Sequence, residues 1–112
     1  MHTMNSFNTA NQKINQYLNN EILSATPEQL IMRIYDFAIV NCQKHNMIKT
    51  NDALQVLINA LNFDNPAAKE ISIGLFRLYQ FCQDQMRKRK YEVVQRVLTE
   101  LKESWEKALK NR

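Results

Sequence analysis

Both prolines of this chain follow directly on a residue whose side chain caps helices, Thr26-Pro27 and Asn65-Pro66, and the 112 residues contain one glycine. Proline is well tolerated at the first helical position, where its missing N–H would have no partner in any case. So little Gly and Pro leaves almost no material for hairpin turns. With abundant Leu, Ile, Ala, Glu, Gln, Lys and Asn, the chain reads as all-α. At this length it is most economically a single domain with one core, so any function belongs to one compact surface.

The first cap is strongly marked. Thr26 precedes Pro27, Glu28 lies near the positive end of the helix dipole, and Gln29 stands at the third helical position, which completes a capping box. From Pro27 the helical pattern is expected to run to about Met47. Thr50 or Asn51 then offers the cap of a second helix ending near Phe63. Asn65-Pro66 opens a third, expected to reach Arg87, and a fourth spans about Tyr91 to Leu109. Short connections between four helices imply an antiparallel up-down four-helix bundle. Residues 1–12 are polar and Asn-rich and are expected to be flexible. In 13–24, Ile14, Tyr17, Leu18 and Ile22 mark a short additional N-terminal helix that would behave as a lid, too short to be stable alone.

The fourth helix sets a standard for the others. Tyr91, Val94, Val97, Leu98, Leu101, Trp105, Ala108 and Leu109 share one sector, and the opposite face is polar, with Glu92–Arg96, Glu103–Lys107 and Glu106–Lys110 at i, i+4 spacing. The first helix exceeds that standard. Leu30, Ile31, Ile34, Tyr35, Phe37, Ala38 and Cys42 fill a core sector while Met32 and Ile39 extend the apolar arc to about 220°. In the third helix Ile71, Leu75, Leu78, Tyr79, Phe81, Cys82 and Met86 are expected to face inward, with Ile73 and Phe76 pointing elsewhere. Val56 and Phe63 are similar outliers near the second. Several such residues on neighbouring helices can build a continuous partner site. Equally, the Tyr17 helix could cover them as a fifth core element.

Little here suggests chemistry. Two histidines without E-x-x-H or H-E-x-x-H spacing give no metal site in a bundle, and His45 reads as a helix-end side chain. One glycine cannot make a phosphate-cradling loop. Cys42 and Cys82 lie far apart in apolar helical stretches and read as reduced core residues. Tyr35, Tyr79 and Trp105 have core spacing. No catalytic residue, metal or cofactor is expected. The net charge of +4 comes from basic residues dispersed among acids, except Arg87, Lys88, Arg89 and Lys90, which read as a solvated helix end. No stretch has the length of a signal peptide's apolar region or of a membrane helix, so a cytoplasmic protein without membrane insertion is the expectation.

Three stretches together resemble the flagellin-binding export chaperone family, FliS. "QYLNNEILSATPEQLIMRIYDFA" is similar to the family's N-terminal tyrosine segment, Ser/Thr-Pro helix start and Leu-Tyr-Asp pattern; "GLFRLYQF" resembles its "NLxxLYDY"; and "VVQRVLTELKESW" resembles its last amphipathic helix, ending in tryptophan. Two positions depart from the pattern. Phe37 stands where the family commonly has glycine, and Gly74 where it has asparagine, which suggests that Gly74 makes room for Phe37. The chain is also shorter than the family between Tyr35 and Tyr79 and between Tyr79 and Trp105, as if one end of the bundle had lost about a turn from each helix.

The resemblance implies an export chaperone, not an enzyme. It would bind the C-terminal segment of flagellin as amphipathic helices, prevent premature polymerisation, and deliver the client to the flagellar type III export apparatus. The apolar surplus then becomes the docking surface: Ile14, Tyr17 and Leu18 of the lid with Met32, Ile39, Val56, Ile73 and Phe76, while Tyr35, Leu78, Tyr79 and Trp105 belong to the core. Two alternatives stand beside it. One is a small basic nucleic-acid-binding protein using residues 87–90, although no nucleic acid is expected as partner; the other is a structural homodimer burying the same patch.

Overall fold

A computed structural model describes residues 26–111, so the lid-like segment at 13–24, with Ile14, Tyr17 and Leu18, and residues 1–12 lie outside the described residues. Among the described residues there are four helices and no strand: α1 (Pro27–Gln43), α2 (Met47–Asn59), α3 (Pro66–Arg87) and α4 (Tyr91–Lys110). Each of α1 and α3 packs against both α2 and α4, and this ring of neighbours encloses one core. No helix of the described residues is long and apolar enough to cross a membrane.

The capping box forms as the sequence predicts. Thr26 Oγ1 accepts from the Gln29 N–H at 3.1 Å, and Gln29 Oε1 accepts from the Thr26 N–H at 2.9 Å. Asn65 Oδ1 likewise accepts from Ala67 N–H at the start of α3.

The first connection differs from expectation. α1 stops at Gln43, not near Met47, and α2 is capped by Asn46 rather than by Thr50 or Asn51. The cause is His45, which takes a left-handed φ of 59°. With it, the N–H groups of His45 and Asn46 return to the Cys42 and Asn41 carbonyls, closing the helix by a Schellman motif. Thr50 is then interior to α2, where its buried hydroxyl donates to the Asn46 carbonyl at 2.8 Å. The connection after α3 repeats the device. Arg89 has a φ of 61°, and Arg89 and Lys90 donate to the Met86 and Gln85 carbonyls. Neither residue is glycine, the usual choice there.

At its other end α2 finishes at Asn59 instead of near Phe63. Asn62 Oδ1 accepts from the Asp64 and Asn65 N–H groups, a local turn that competes with helical continuation. Ser72 ties this loop down by donating to the Asn62 carbonyl at 2.9 Å.

The core holds Ile34, Tyr35, Ala38 and Cys42 of α1, Ala53, Leu54 and Leu57 of α2, Tyr79, Cys82 and Met86 of α3, and Val94 and Leu98 of α4. Both cysteines are free and buried. Along the α2–α3 seam, Asn51 Nδ2 donates to the Gln83 carbonyl, while Gln83 Nε2 donates to the Asn51 carbonyl and to Gln55 Oε1. These paired amides fix how α2 and α3 align.

Three readings of the sequence need correcting. Ile71, Leu78 and Phe81 are exposed, while Ile73 and Phe76 are half-buried, so α3 sits rotated relative to the expected inward sector. Residues 72, 75, 79, 82, 83 and 86 define its inner face, and polar Ser72 and Gln83, outside the expected inward sector, are part of it. Gly74 does not make room for Phe37: a methyl group added there would meet nothing within 4 Å. Finally, the i, i+4 charge pairs of α4 stay open among the described residues, as exposed flexible pairs commonly do. The ion pair α4 does make crosses to α1, Lys102 Nζ to Asp36 Oδ1 at 2.6 Å.

Candidate functional site

The lengths of the helices leave one end of the bundle incompletely filled. α2 has 13 residues and α3 has 22. At 1.5 Å per residue they differ by roughly 13 Å. The α1–α2 and α3–α4 turns lie together, because His45 and Tyr91 stack at 3.9 Å with planes 7° apart and Cys42 Sγ donates to the Tyr91 carbonyl. The mismatch therefore falls at the opposite end. There the last turn of α2 and its following loop cannot cover α3 and α4, and a cavity of about 390 Å3 remains.

Its walls are apolar. Leu57, Ala60 and Leu61 come from α2 and the loop, Ala68, Ile71 and Leu75 from α3, Ile31 from α1 and Trp105 from α4. A second cavity of about 230 Å3 opens on the far side of Ile31 and Trp105, bounded by Pro27, Met32 and Leu109. Trp105 thus separates two apolar recesses on one end face.

A buried polar cluster forms the floor. The Tyr35 and Tyr79 hydroxyls lie 2.6 Å apart, and Trp105 Nε1 donates to the Tyr35 hydroxyl at 3.1 Å. Burial pushes the Tyr35 phenol above its ordinary pKa. Burial does the same to Tyr79, reinforced by Tyr35 beside it. Both phenols therefore remain neutral in the physiological range and serve as hydrogen-bonding groups, not as bases. The cysteines offer no nucleophile either, since burial raises Cys42 and pushes Cys82 up to about 12. Among the described residues no group of three His, Cys, Asp or Glu could hold a metal ion. The arrangement can receive apolar side chains and position them against a rigid aromatic wall.

The described residues among the sequence-predicted site belong to three helices: Met32 and Ile39 to α1, Val56 to α2, Ile73 and Phe76 to α3. Met32 lines the smaller cavity. Ile39 and Val56 are half-buried and pack against the core. Ile73 is half-buried, and Phe76 meets Phe63 edge-on at 6.1 Å. Tyr35, Tyr79 and Trp105 join the core as expected, although Trp105 also faces both cavities, whereas Leu78 lies exposed. Sequence reasoning missed Ala60, Leu61 and Ala68. The available signal was the polar break at 62–65 so soon after a short helix, with small residues on either side of it.

The basic run is an exposed corner. Arg87 pairs with Asp84 at 2.8 Å, and Lys88, Arg89 and Lys90 project from the turn into α4. In comparisons with known proteins, no family model, curated protein or solved structure matches the chain.

Proposed function

We propose that the protein is an export chaperone of the flagellin-binding kind, holding the C-terminal segment of flagellin as amphipathic helix in the apolar recesses beside Trp105. The observation that carries this reading is the pair of adjoining cavities, built from the start of α1, the end of α2, the start of α3 and the end of α4. Clefts of this kind between helices accept i, i+3, i+4 anchors of a partner helix. The tyrosine and tryptophan that underlie them, Tyr35, Tyr79 and Trp105, belong to the three motifs that resemble the chaperone family.

The client stays unpolymerised in the cytoplasm while bound and passes from there to the flagellar export apparatus. Ordering of a flexible client consumes part of the interaction energy, which leaves release easy without nucleotide. The bundle itself is read as up-down. Cys42 pairing with Tyr91 and Asp36 with Lys102 favours opposite senses for α1 and α4. Residues 13–24, which precede Thr26 in the chain, are read as a lid that a client displaces.

Sedimentation of the full chain with a synthetic flagellin C-terminal peptide tests the proposal. Formation of a complex little affected by salt is expected. Absence of a complex, or steeply salt-dependent binding to DNA or RNA in its place, would reject it.

A further inference from the structure

A second surface lies on α3, away from the polar network. Its solvent-facing apolar residues are Ile71, Leu78 and Phe81, exposed by 66%, 38% and 43%, with Gly74 exposed among them. Their spacing of three, four and three residues is that of the a and d positions of a coiled coil, narrower than the stripe a helix turns to a globular core. The inner face of α3 is already satisfied by Leu75, Tyr79, Cys82 and Met86. The seam is therefore additional to the fold.

Gly74 sits in the middle of it. A mid-helix glycine costs about 1 kcal/mol relative to alanine. Here that cost supports no internal contact, because the space above it is open. A glycine at such a place lets a second backbone approach closely. The flanking charges specify which backbone. With Ile71 at position a, the outer flank carries Glu70, Arg77 and Asp84, all exposed and the last paired with Arg87, whereas the inner flank is Leu75 and Cys82, turned into the bundle. In a parallel helix pair the outer flank would meet an inner flank that the bundle occupies. In an antiparallel pair outer flank meets outer flank, and Glu70 and Arg77 lie on opposite sides of Gly74, four and three residues away.

We infer that this seam is a self-association surface, on which α3 of a second copy lies antiparallel with the two Gly74 residues at the closest approach. Glu70 of each copy then faces the partner's Arg77, so the charges are satisfied twice by symmetry. The contact is smaller than a standard protein interface, and the dimer is accordingly reversible. This inference does not rest on the chaperone reading: the seam runs along the side of α3 and meets the larger Trp105 recess at Ile71 alone, which lines both.

Sedimentation equilibrium of the full chain over a range of concentrations, with circular dichroism to check folding, tests it. The wild type is expected to shift from monomer to dimer mass. Leu78→Glu, at an exposed position, should be monomeric with unchanged helicity. Glu70→Arg alone converts both attractive pairs into repulsive ones and should weaken dimerisation about tenfold, and adding Arg77→Glu should restore it. A wild type that remains monomeric up to about 1 mM, whether its seam is covered by residues 13–24 or taken by a flagellin peptide, overturns the inference. So does a dimer that survives Leu78→Glu, or a double reversal that fails to restore what Glu70→Arg removed.

Discussion

The two ends of the bundle are built on opposite principles. At one, two three-residue turns close the helices tightly, His45 stacks on Tyr91, and Cys42 seals the gap by bonding the Tyr91 carbonyl. At the other, a short α2 and a looser loop leave apolar recesses around Trp105. The closed end spends backbone strain at His45 and Arg89 to gain closure. Among the described residues the open end leaves apolar wall uncovered, and hydrogen-bonds the tyrosines beneath so that the wall stays fixed. The proposed function assigns stability chiefly to the first and binding to the second.

That division can be broken most forcefully by Met86→Ala. Met86 is fully buried near the closed end, and its truncation should cost roughly 3 kcal/mol in denaturant unfolding while leaving client affinity unchanged. A matching loss of affinity in the folded variant would show that the ends are not separate. At the open end Trp105→Phe retains an apolar wall but loses the N–H donated to Tyr35. It should cost about 1 to 2 kcal/mol in stability and also weaken client binding, since the two recesses merge.

A pH titration sharpens the contrast. Asp52 on α2 is buried with its Oδ2 unpartnered, and desolvation pushes its pKa up to about 6. The folded state therefore holds this proton more tightly than the unfolded chain. Stability should fall as pH rises through the interval from the ordinary carboxylate value to about 6, then level off. Asp52→Asn should remove that slope and be more stable by about 1 kcal/mol above it, as read from Tm against pH. The same slope in the variant would assign the effect elsewhere. The tyrosine cluster contributes nothing there, its phenols having been moved further from neutrality.

The smallest test compares the two left-handed residues. Arg89→Gly relieves the φ of 61° and should gain about 1 kcal/mol. His45→Gly relieves a similar strain but loses the stack on Tyr91, and should change stability by less than about 0.5 kcal/mol. Equal gains in thermal unfolding would mean that the stack contributes nothing.

The helices were legible in the sequence wherever a side chain announced them. Thr26 and Asn65 did so because cap and proline act within a few residues. Asn46 did not, since its role depends on His45 adopting a conformation that glycine usually supplies. Most of the core of α1 and α4 followed from periodicity, although Ala108, placed in the inward sector of α4, is exposed. That of α3 did not, because Ser72 and Gln83 are buried through bonds to Asn62 and to Asn51 and Gln55, partners remote in sequence. The site was less legible still. The surplus of apolar residues was visible, but which of them remain uncovered depends on the difference in length between α2 and α3, a property of the assembled bundle. Exposed Ile71 and half-buried Phe76 exchange the places that helical periodicity assigned them.

The central claim is that the open end receives apolar side chains of a flagellin C-terminal helix. Ala68→Asp tests it most directly, because Ala68 lines the larger cavity in the first turn of α3, where the helix dipole favours a carboxylate and the fold is retained. Calorimetry of the full chain with a flagellin C-terminal peptide should show binding with a negative heat-capacity change, lost or weakened at least tenfold in Ala68→Asp. Binding of equal strength in the folded variant, or none in the wild type, would contradict the account.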